Sequence, residues 1–220
     1  MNVKITIVYD NTTRSSDLVA DWGFSCYIET LENQILFDTG TKPQILLSNM
    51  EKLNIDPNDA DLIFVSHQHG DHMGGLFSVM DLNTHADVFV PIEIGHSIYK
   101  NKVRVLEDAT QITDKIFSSG LLLCEGRRGL VEQSLYFGTN KGMIAVAGCS
   151  HSGVSQILKK CTEFGNPYAL IGGLHGFNEF RLVDPLSIIC PTHCTQHIKT
   201  IKKQFPKKYI QGGVGTIINL

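Results

Sequence analysis

The run Ser66-His67-Gln68-His69-Gly70-Asp71-His72-Met73-Gly74-Gly75 sets three imidazoles and one carboxylate within six consecutive positions. Ordinary packing does not require such a density of metal-binding groups. His67 and His69 stand two apart, so on an extended segment they project the same way and can share one ion. Asp71 and His72 follow Gly70, where the chain can bend, and as neighbours they diverge toward a second ion. Neutral imidazole and carboxylate suit Zn²⁺, with Fe and Mn as alternatives, and a pair of ions about 3.5–4 Å apart is the usual arrangement for metal-assisted hydrolysis. The bland alternative is a histidine-rich surface loop. The glycines and the apolar run ahead of the cluster favour a strand-to-helix turn.

The elements that must position this cluster follow from hydrophobic periodicity. Lys4 to Tyr9, Phe24 to Glu29 and Gln34 to Phe37 read as strands, Pro43 to Leu53 as a helix, and Leu62 to Val65 as a buried strand leading into the histidines. Leu76 to Leu82 reads as a short helix and Asp87 to Val90 as a further strand. Residues 92–118 carry only weak strand signals, at Lys102 to Leu106 and Lys115 to Ser118. Leu121 to Glu125, Gln133 to Phe137 and Met143 to Ala147 read as strands, followed by a helix from Gly153 to Phe164. Tyr168 to Ile171 and Leu186 to Cys190 suit buried strands, with a lysine-rich helix after the second and a closing strand near Thr216 to Ile218. The two halves come out alike.

Three histidines of the second half each follow a predicted strand: His151, His175 and His193. Successive buried parallel strands bring their carboxyl ends to one crevice, so these side chains can converge on ions held by the first half. His85, His96 and His197 lack that setting and read as surface residues. Asp38 ends a strand ahead of Thr39-Gly40. It reads either as a cap for the helix near Pro43 or as an acceptor for the outer N–H of a metal-bound imidazole.

The cluster resembles the HxHxDH signature of the metallo-β-lactamase superfamily. Trp22-Gly23-Phe24-Ser25, Leu36-Phe37-Asp38-Thr39-Gly40, Gly148-Cys149-Ser150-His151-Ser152-Gly153, Gly172-Gly173-Leu174-His175 and Pro191-Thr192-His193-Cys194-Thr195 resemble the subgroup of archaeal dihydropterin ribofuranosylaminobenzene-phosphate synthase-like proteins. The resemblance implies an α+β fold, a four-layer αββα sandwich of two pseudo-duplicated halves, over residues 1–220 as a single domain. It also implies a ligand set: His67, His69 and His151 for one ion, Asp71, His72 and His193 for the other, with Asp38 supporting an imidazole from behind. The chain departs from the pattern at Gly70, where an aromatic is common, at Gln196, where glycine is common, and at His175, where many superfamily hydrolases place a bridging aspartate. His175 then stands as a ligand, a general acid or a phosphate-binding group, with the last two favoured, and Asp71 and His175 as residues acting in turnover.

Bulk composition fits this reading without proving it. The formal net charge of −3 hides an asymmetry. Residues 1–110 hold 16 acidic against 7 basic side chains, a balance of −9, and residues 111–220 hold 6 against 12, a balance of +6. Lys199, Lys202 and Lys203 on the last helix, with Lys207 and Lys208, read as a solvated face or as a basic wall drawing in a phosphorylated substrate. Nucleic acid is the less favoured partner. The alternating, polar amino-terminal segment does not resemble an export signal, and no apolar run is long enough to span a bilayer. Six cysteines without a CxxC pair read as reduced, core-filling thiols of a cytoplasmic protein. The expected activity is a dinuclear metal-dependent hydrolase, zinc favoured, using metal-bound hydroxide on a small, anionic phosphorylated or phosphodiester substrate. Lactone, thioester or β-lactam hydrolysis, synthesis on a pterin precursor, and non-catalytic metal or ligand binding are the alternatives.

Overall fold

Alternating and continuous apolar runs of the first hundred residues assemble into one sheet. A computed structural model describes residues 1–95 and 99–220; His96, read above as a surface residue, lies outside the described residues. The chain divides into two units, one of Asn2–Leu106 with Gly213–Leu220 and one of Glu107–Gly212 with Met1.

In the first unit β1 (Lys4–Tyr9), β2 (Ser25–Glu29) and β3 (Gln34–Phe37) form an antiparallel meander, and β4 (Leu62–Phe64), β5 (Asp87–Phe89) and β6 (Lys102–Arg104) extend it in parallel. The closing strand Ile217–Asn219 pairs antiparallel with β1 at the opposite edge. The parallel strands need crossovers, supplied by α1 (Pro43–Lys52) after β3 and by α2 (Gly70–Met73) with α3 (Leu76–Leu82) after β4. Leu46 and Met50 of α1 and Leu76, Val79 and Met80 of α3 share a core with Tyr27, Leu36, Ile63 and Val88 of the strands. The other face of the sheet carries Phe37 stacked on Phe64 at 5.6 Å, with Phe89 and Phe24 continuing the row. Both faces of β4 are buried, which explains its unbroken Leu62-Ile63-Phe64 sequence.

The second unit repeats the plan. β7 (Thr110–Thr113), β8 (Ile116–Ser118), β11 (Leu135–Thr139) and β12 (Gly142–Ala147) pair antiparallel, and β13 (Pro167–Gly173) and β14 (Ile188–Thr192) continue the sheet in parallel. The pair β9 (Leu122–Leu123) and β10 (Val131–Glu132) stands apart as a small hairpin. α4 (Val154–Cys161) crosses from β12 to β13 and α5 (Ile198–Gln204) follows β14. Ile157, Leu158 and Cys161 of α4 and Ile201 of α5 pack with Tyr136, Ala145, Leu170 and Ile189.

The expected elements are present, with informative differences at their ends. The strand expected over Leu121–Glu125 shortens to two residues, because Cys124 to Leu130 turns through Gly126 and Gly129 at positive φ. The helix expected to reach Phe164 stops at Cys161, where the chain unwinds toward Gly165 at φ 157°. Thr110–Thr113, too polar to show as a strand, is held by main-chain pairing to β8. No helix among the described residues is long and apolar enough to cross a membrane.

Candidate metal centre

β4 ends at Phe64, and α2 begins at Gly70, so the histidine cluster occupies the strand-to-helix turn that its glycines implied. The later pair, Gly74-Gly75, is obligatory there. A Cβ on Gly74 would lie 2.1 Å from the Thr41 carbonyl oxygen, and one on Gly75 would lie 2.6 Å from that of Thr39. Gly70 is different: a Cβ there would meet open space, so its role is not steric.

Asp38 organises the turn from beneath. It follows β3 in the left-handed region at φ 55°, fully buried, with its N–H donated to the Phe64 carbonyl at 2.8 Å. Ser66 donates its N–H to Asp38 Oδ1 at 2.6 Å and its O–H to Oδ2 at 2.8 Å. His72 Nδ1 lies 2.7 Å from the same Oδ2, and His67 Nδ1 lies 2.9 Å from Ser66 Oγ. With the Ser66 proton directed at Asp38, its oxygen accepts from His67, so both imidazoles carry their proton on Nδ1 and the lone pair on Nε2. Asp38 does not cap α1, whose N-cap is Lys42 without a side-chain bond.

Three observations show that these residues suit a cation. His67 Nε2 and His69 Nδ1 converge to 3.1 Å, close to the edge of about 3.3 Å expected for a tetrahedron of zinc–nitrogen bonds of ~2.0–2.1 Å. The His67 and His72 rings lie 4.1 Å apart, both fully buried. Asp71 adds a carboxylate whose Oδ2 accepts from Trp22 Nε1 at 2.8 Å, while its carbonyl accepts from Phe24 N at 3.1 Å.

In the second unit the expected histidines again follow strands: His151 after β12, His175 after β13 and His193 after β14. Ser150, His175 and His193 adopt positive φ, 58°, 45° and 45°. With Asp38, they put left-handed backbone at four strand ends, and such strain persists where the surrounding structure enforces it, often at functional sites. The glycines of Gly172-Gly173 let neighbouring chain approach closely, since a Cβ on Gly172 would sit 1.9 Å from the Ala147 carbonyl oxygen.

Glu132 is the counterpart of Asp38 in this unit, and the sequence reading missed it. Fully buried on β10, it accepts the N–H groups of Cys149 (3.0 Å), Ser150 (2.8 Å) and Ser152 (3.1 Å), and the Ser152 hydroxyl (3.1 Å). It thereby fixes the loop that carries His151. Arg127 was also missed: its Nη2 lies 2.8 Å from His175 Nε2. A guanidinium only donates, so Nε2 accepts and the His175 proton resides on Nδ1. His175 in turn lies against the His151 ring at 4.9 Å.

Cys149 was expected to fill the core. It is buried, but ligand atoms of Cys149, His193 and Cys194 lie within 4.8 Å of one another. The Cys149 thiol, helped by His175, holds the Cys194 thiol down to about 6 against the opposing effect of burial. Asp184, exposed and ahead of β14, lies at the end of that strand away from His193. His85 is exposed, and His197 is half-buried against Phe180.

Comparison with known proteins gives this arrangement a lineage. A family model described as anti-Pycsar protein Apyc1 matches residues 15–105. The chain is 30% identical over 261 aligned positions to 7,8-dihydropterin-6-methyl-4-(β-D-ribofuranosyl)-aminobenzene-5'-phosphate synthase of Methanocaldococcus jannaschii, covering 88% of each. Among solved structures, Tm1679, described as a metal-dependent hydrolase of the β-lactamase superfamily, superposes with a TM-score of 0.79 at 23% identity over 99% of both chains. The metallo-β-lactamase fold protein YhfI of Bacillus subtilis gives 0.69 at 12% identity over the full length of both. The two sheets of like plan, the histidine turn after β4 and the 30% identity across most of the synthase agree: this chain has the metallo-β-lactamase fold and belongs to the family of that synthase.

Proposed function

We propose that the chain is a metal-dependent hydrolase of small phosphorylated or phosphodiester substrates, with two divalent cations, zinc by preference, bound by His67, His69 and His151 and by Asp71, His72 and His193. The observation that carries this reading is the buried relay from Asp38 to His72 and through Ser66 to His67, which fixes two imidazoles in the tautomer that presents Nε2. Held there, divalent cations would supply the Lewis acidity that makes a water-derived nucleophile available at neutral pH.

The protein's own groups supply orientation and charge. Asp38 and Ser66 hold the imidazoles, Trp22 steadies Asp71, and Glu132 holds the backbone around His151. Arg127 keeps guanidinium donors beyond the one given to His175 Nε2, and these suit an anionic oxygen. The bond from Arg127 supports a phosphate-binding role of His175 exercised through that guanidinium, with the general acid as the alternative. Six cysteines in the thiol form support a reducing, cytoplasmic setting.

The test is a substrate panel on zinc-loaded protein: bis(p-nitrophenyl) phosphate, p-nitrophenyl phosphate, a thioester, a lactone and a chromogenic β-lactam. Turnover of the phosphate esters is expected, with His175→Ala and Arg127→Gln raising KM while bound metal is retained. Cleavage of the thioester, lactone or lactam alone would overturn the phosphate assignment. Loss of an ion in His175→Ala would make that residue a ligand. A second reading, bond formation on a phosphorylated aromatic precursor, draws on the name of the Methanocaldococcus relative. It predicts a chain inert across the panel yet able to bind inorganic phosphate.

A further inference from the structure

Six cysteines are scattered through the sequence, yet two of them meet. Cys149 follows β12 and Cys194 follows β14, strands that flank β13 in parallel register, with Ala147 beside Gly172 and Gly172 beside Pro191. Strands two positions apart in a sheet stand about 9–10 Å from each other, too far for two cysteine side chains to meet across a residue of ordinary size. Gly173 is the residue between them. A Cβ there would lie 2.8 Å from Cys194 Sγ and 3.2 Å from the Cys149 Cα, so the Cys194 thiol crosses β13 through space that a side chain would fill. It reaches to 3.8 Å from the Cys149 carbonyl oxygen. The Sγ atoms of both cysteines and a ring nitrogen of His193 all lie within 4.8 Å of one another.

Both loops are pinned to β13 and the residue after it. Ser150 Oγ donates to the Gly173 carbonyl at 2.7 Å, while Thr195 Oγ1 accepts the Leu174 N–H at 2.9 Å and donates to the Thr192 carbonyl at 2.7 Å. Cys149 and His193 are buried, and the half-buried Cys194 gives an ion access. Two sulfurs and an imidazole make a soft donor set, which favours Cu(I) over hard ions such as Mg²⁺. Metal–sulfur bonds of ~2.3 Å and a metal–nitrogen bond of ~2.0 Å put such donors about 3.5–3.8 Å apart, so these three need close by only about 1 Å. We propose that Cys149, Cys194 and His193 form a site for a thiophilic cation of the Cu(I) class, and that an ion held there takes His193 from the hydrolytic pair. Each thiol releases a proton as it becomes a ligand, and no electron is transferred. The site stands on its own geometry; its effect on the hydrolytic pair rests on the reading given above.

The zinc-loaded full chain is mixed anaerobically with the coloured Cu(I)–bicinchoninate complex, with ascorbate keeping copper monovalent. The wild type should withdraw about one Cu(I) per chain, as a single three-donor site requires. Cys149→Ser and Cys194→Ser should leave the copper with the chelator. Cys124→Ser, which removes a thiol that burial pushes up to about 12, should match the wild type. Where Cys149→Ser fails to fold, the half-buried Cys194 carries the comparison. Zinc released on adding Cu(I) is measured in parallel, and it should appear with the wild type and not with Cys194→Ser. A wild type that takes no Cu(I), or a Cys194→Ser chain that takes as much, would overturn the site. Copper uptake with zinc content unchanged would overturn the sharing of His193. If the chain holds no zinc at the outset, the hydrolytic reading falls, and Cu(I) uptake still decides the thiol site.

Discussion

Replacing Asp38 by Asn leaves shape almost unchanged and alters only proton logic, which makes it a sharp probe of the relay. The native carboxylate accepts three hydrogen bonds: Ser66 N–H on Oδ1, and Ser66 O–H and His72 Nδ1–H on Oδ2. An amide has one oxygen and one NH₂ to offer. If the oxygen faces Ser66 N–H, the NH₂ faces His72 and drives its proton to Nε2, the atom assigned to the metal. If the amide flips, the buried Ser66 N–H meets an NH₂ and loses its acceptor. Either orientation penalises the loaded state. Loss of such a partner typically costs about 10–100-fold in metal affinity, equivalent to ~1.4–2.7 kcal/mol. Zinc affinity of the wild type and Asp38→Asn is read by competition with a chromogenic chelator. An unchanged zinc constant in a folded variant would show that Asp38 does not set the His72 tautomer.

Glu132→Gln poses the same question in the other unit. Four donors now share one carboxylate, and an amide leaves at least one buried N–H facing an NH₂. Urea denaturation should show a loss of ~1–3 kcal/mol, and an unchanged midpoint would argue against a structural role for that carboxylate. Alkaline titration supplies a further test. Burial first, then the bond to Asp21, pushes the Tyr9 hydroxyl up to about 12 from 10.0, and burial also raises Tyr27 and Tyr136. A raised folded-state pKa gives stability that is fully present below the unfolded value and lost as pH rises through the folded one. Stability should therefore decline between pH 10 and about 12, less so in Tyr9→Phe. Ultraviolet absorbance should show these three phenols ionising only as the chain unfolds, and their titration near pH 10 in the native state would refute the assignment.

What the sequence made legible was local. The cluster from Ser66 to Gly75 announces itself because ligands and glycines lie within one turn, and Leu62-Ile63-Phe64 shows its burial by lacking any polar residue. His151, His175 and His193 could be anticipated because each follows a short apolar run. Glu132, Arg127 and the bond of Trp22 to Asp71 could not. Glu132 sits on a two-residue strand with no periodicity, and its partners lie 17 to 20 residues away. Arg127 meets His175 across 48 residues and Trp22 meets Asp71 across 49, distances that only sheet pairing closes. The closeness of Cys149 to Cys194 has the same origin, parallel pairing of β12, β13 and β14 at their carboxyl ends. Of the carboxylates behind the site, Asp38 was visible because it closes a strand ahead of a turn.

The most direct test of the account is metal content. Protein purified without chelator is dialysed against zinc and analysed for bound metal per chain, alongside Asp71→Asn and His193→Asn. The account predicts about two ions for the wild type and about one for each variant, as a two-ion hydrolytic site requires. A wild-type chain that binds no zinc, or variants that keep the wild-type content, would contradict it.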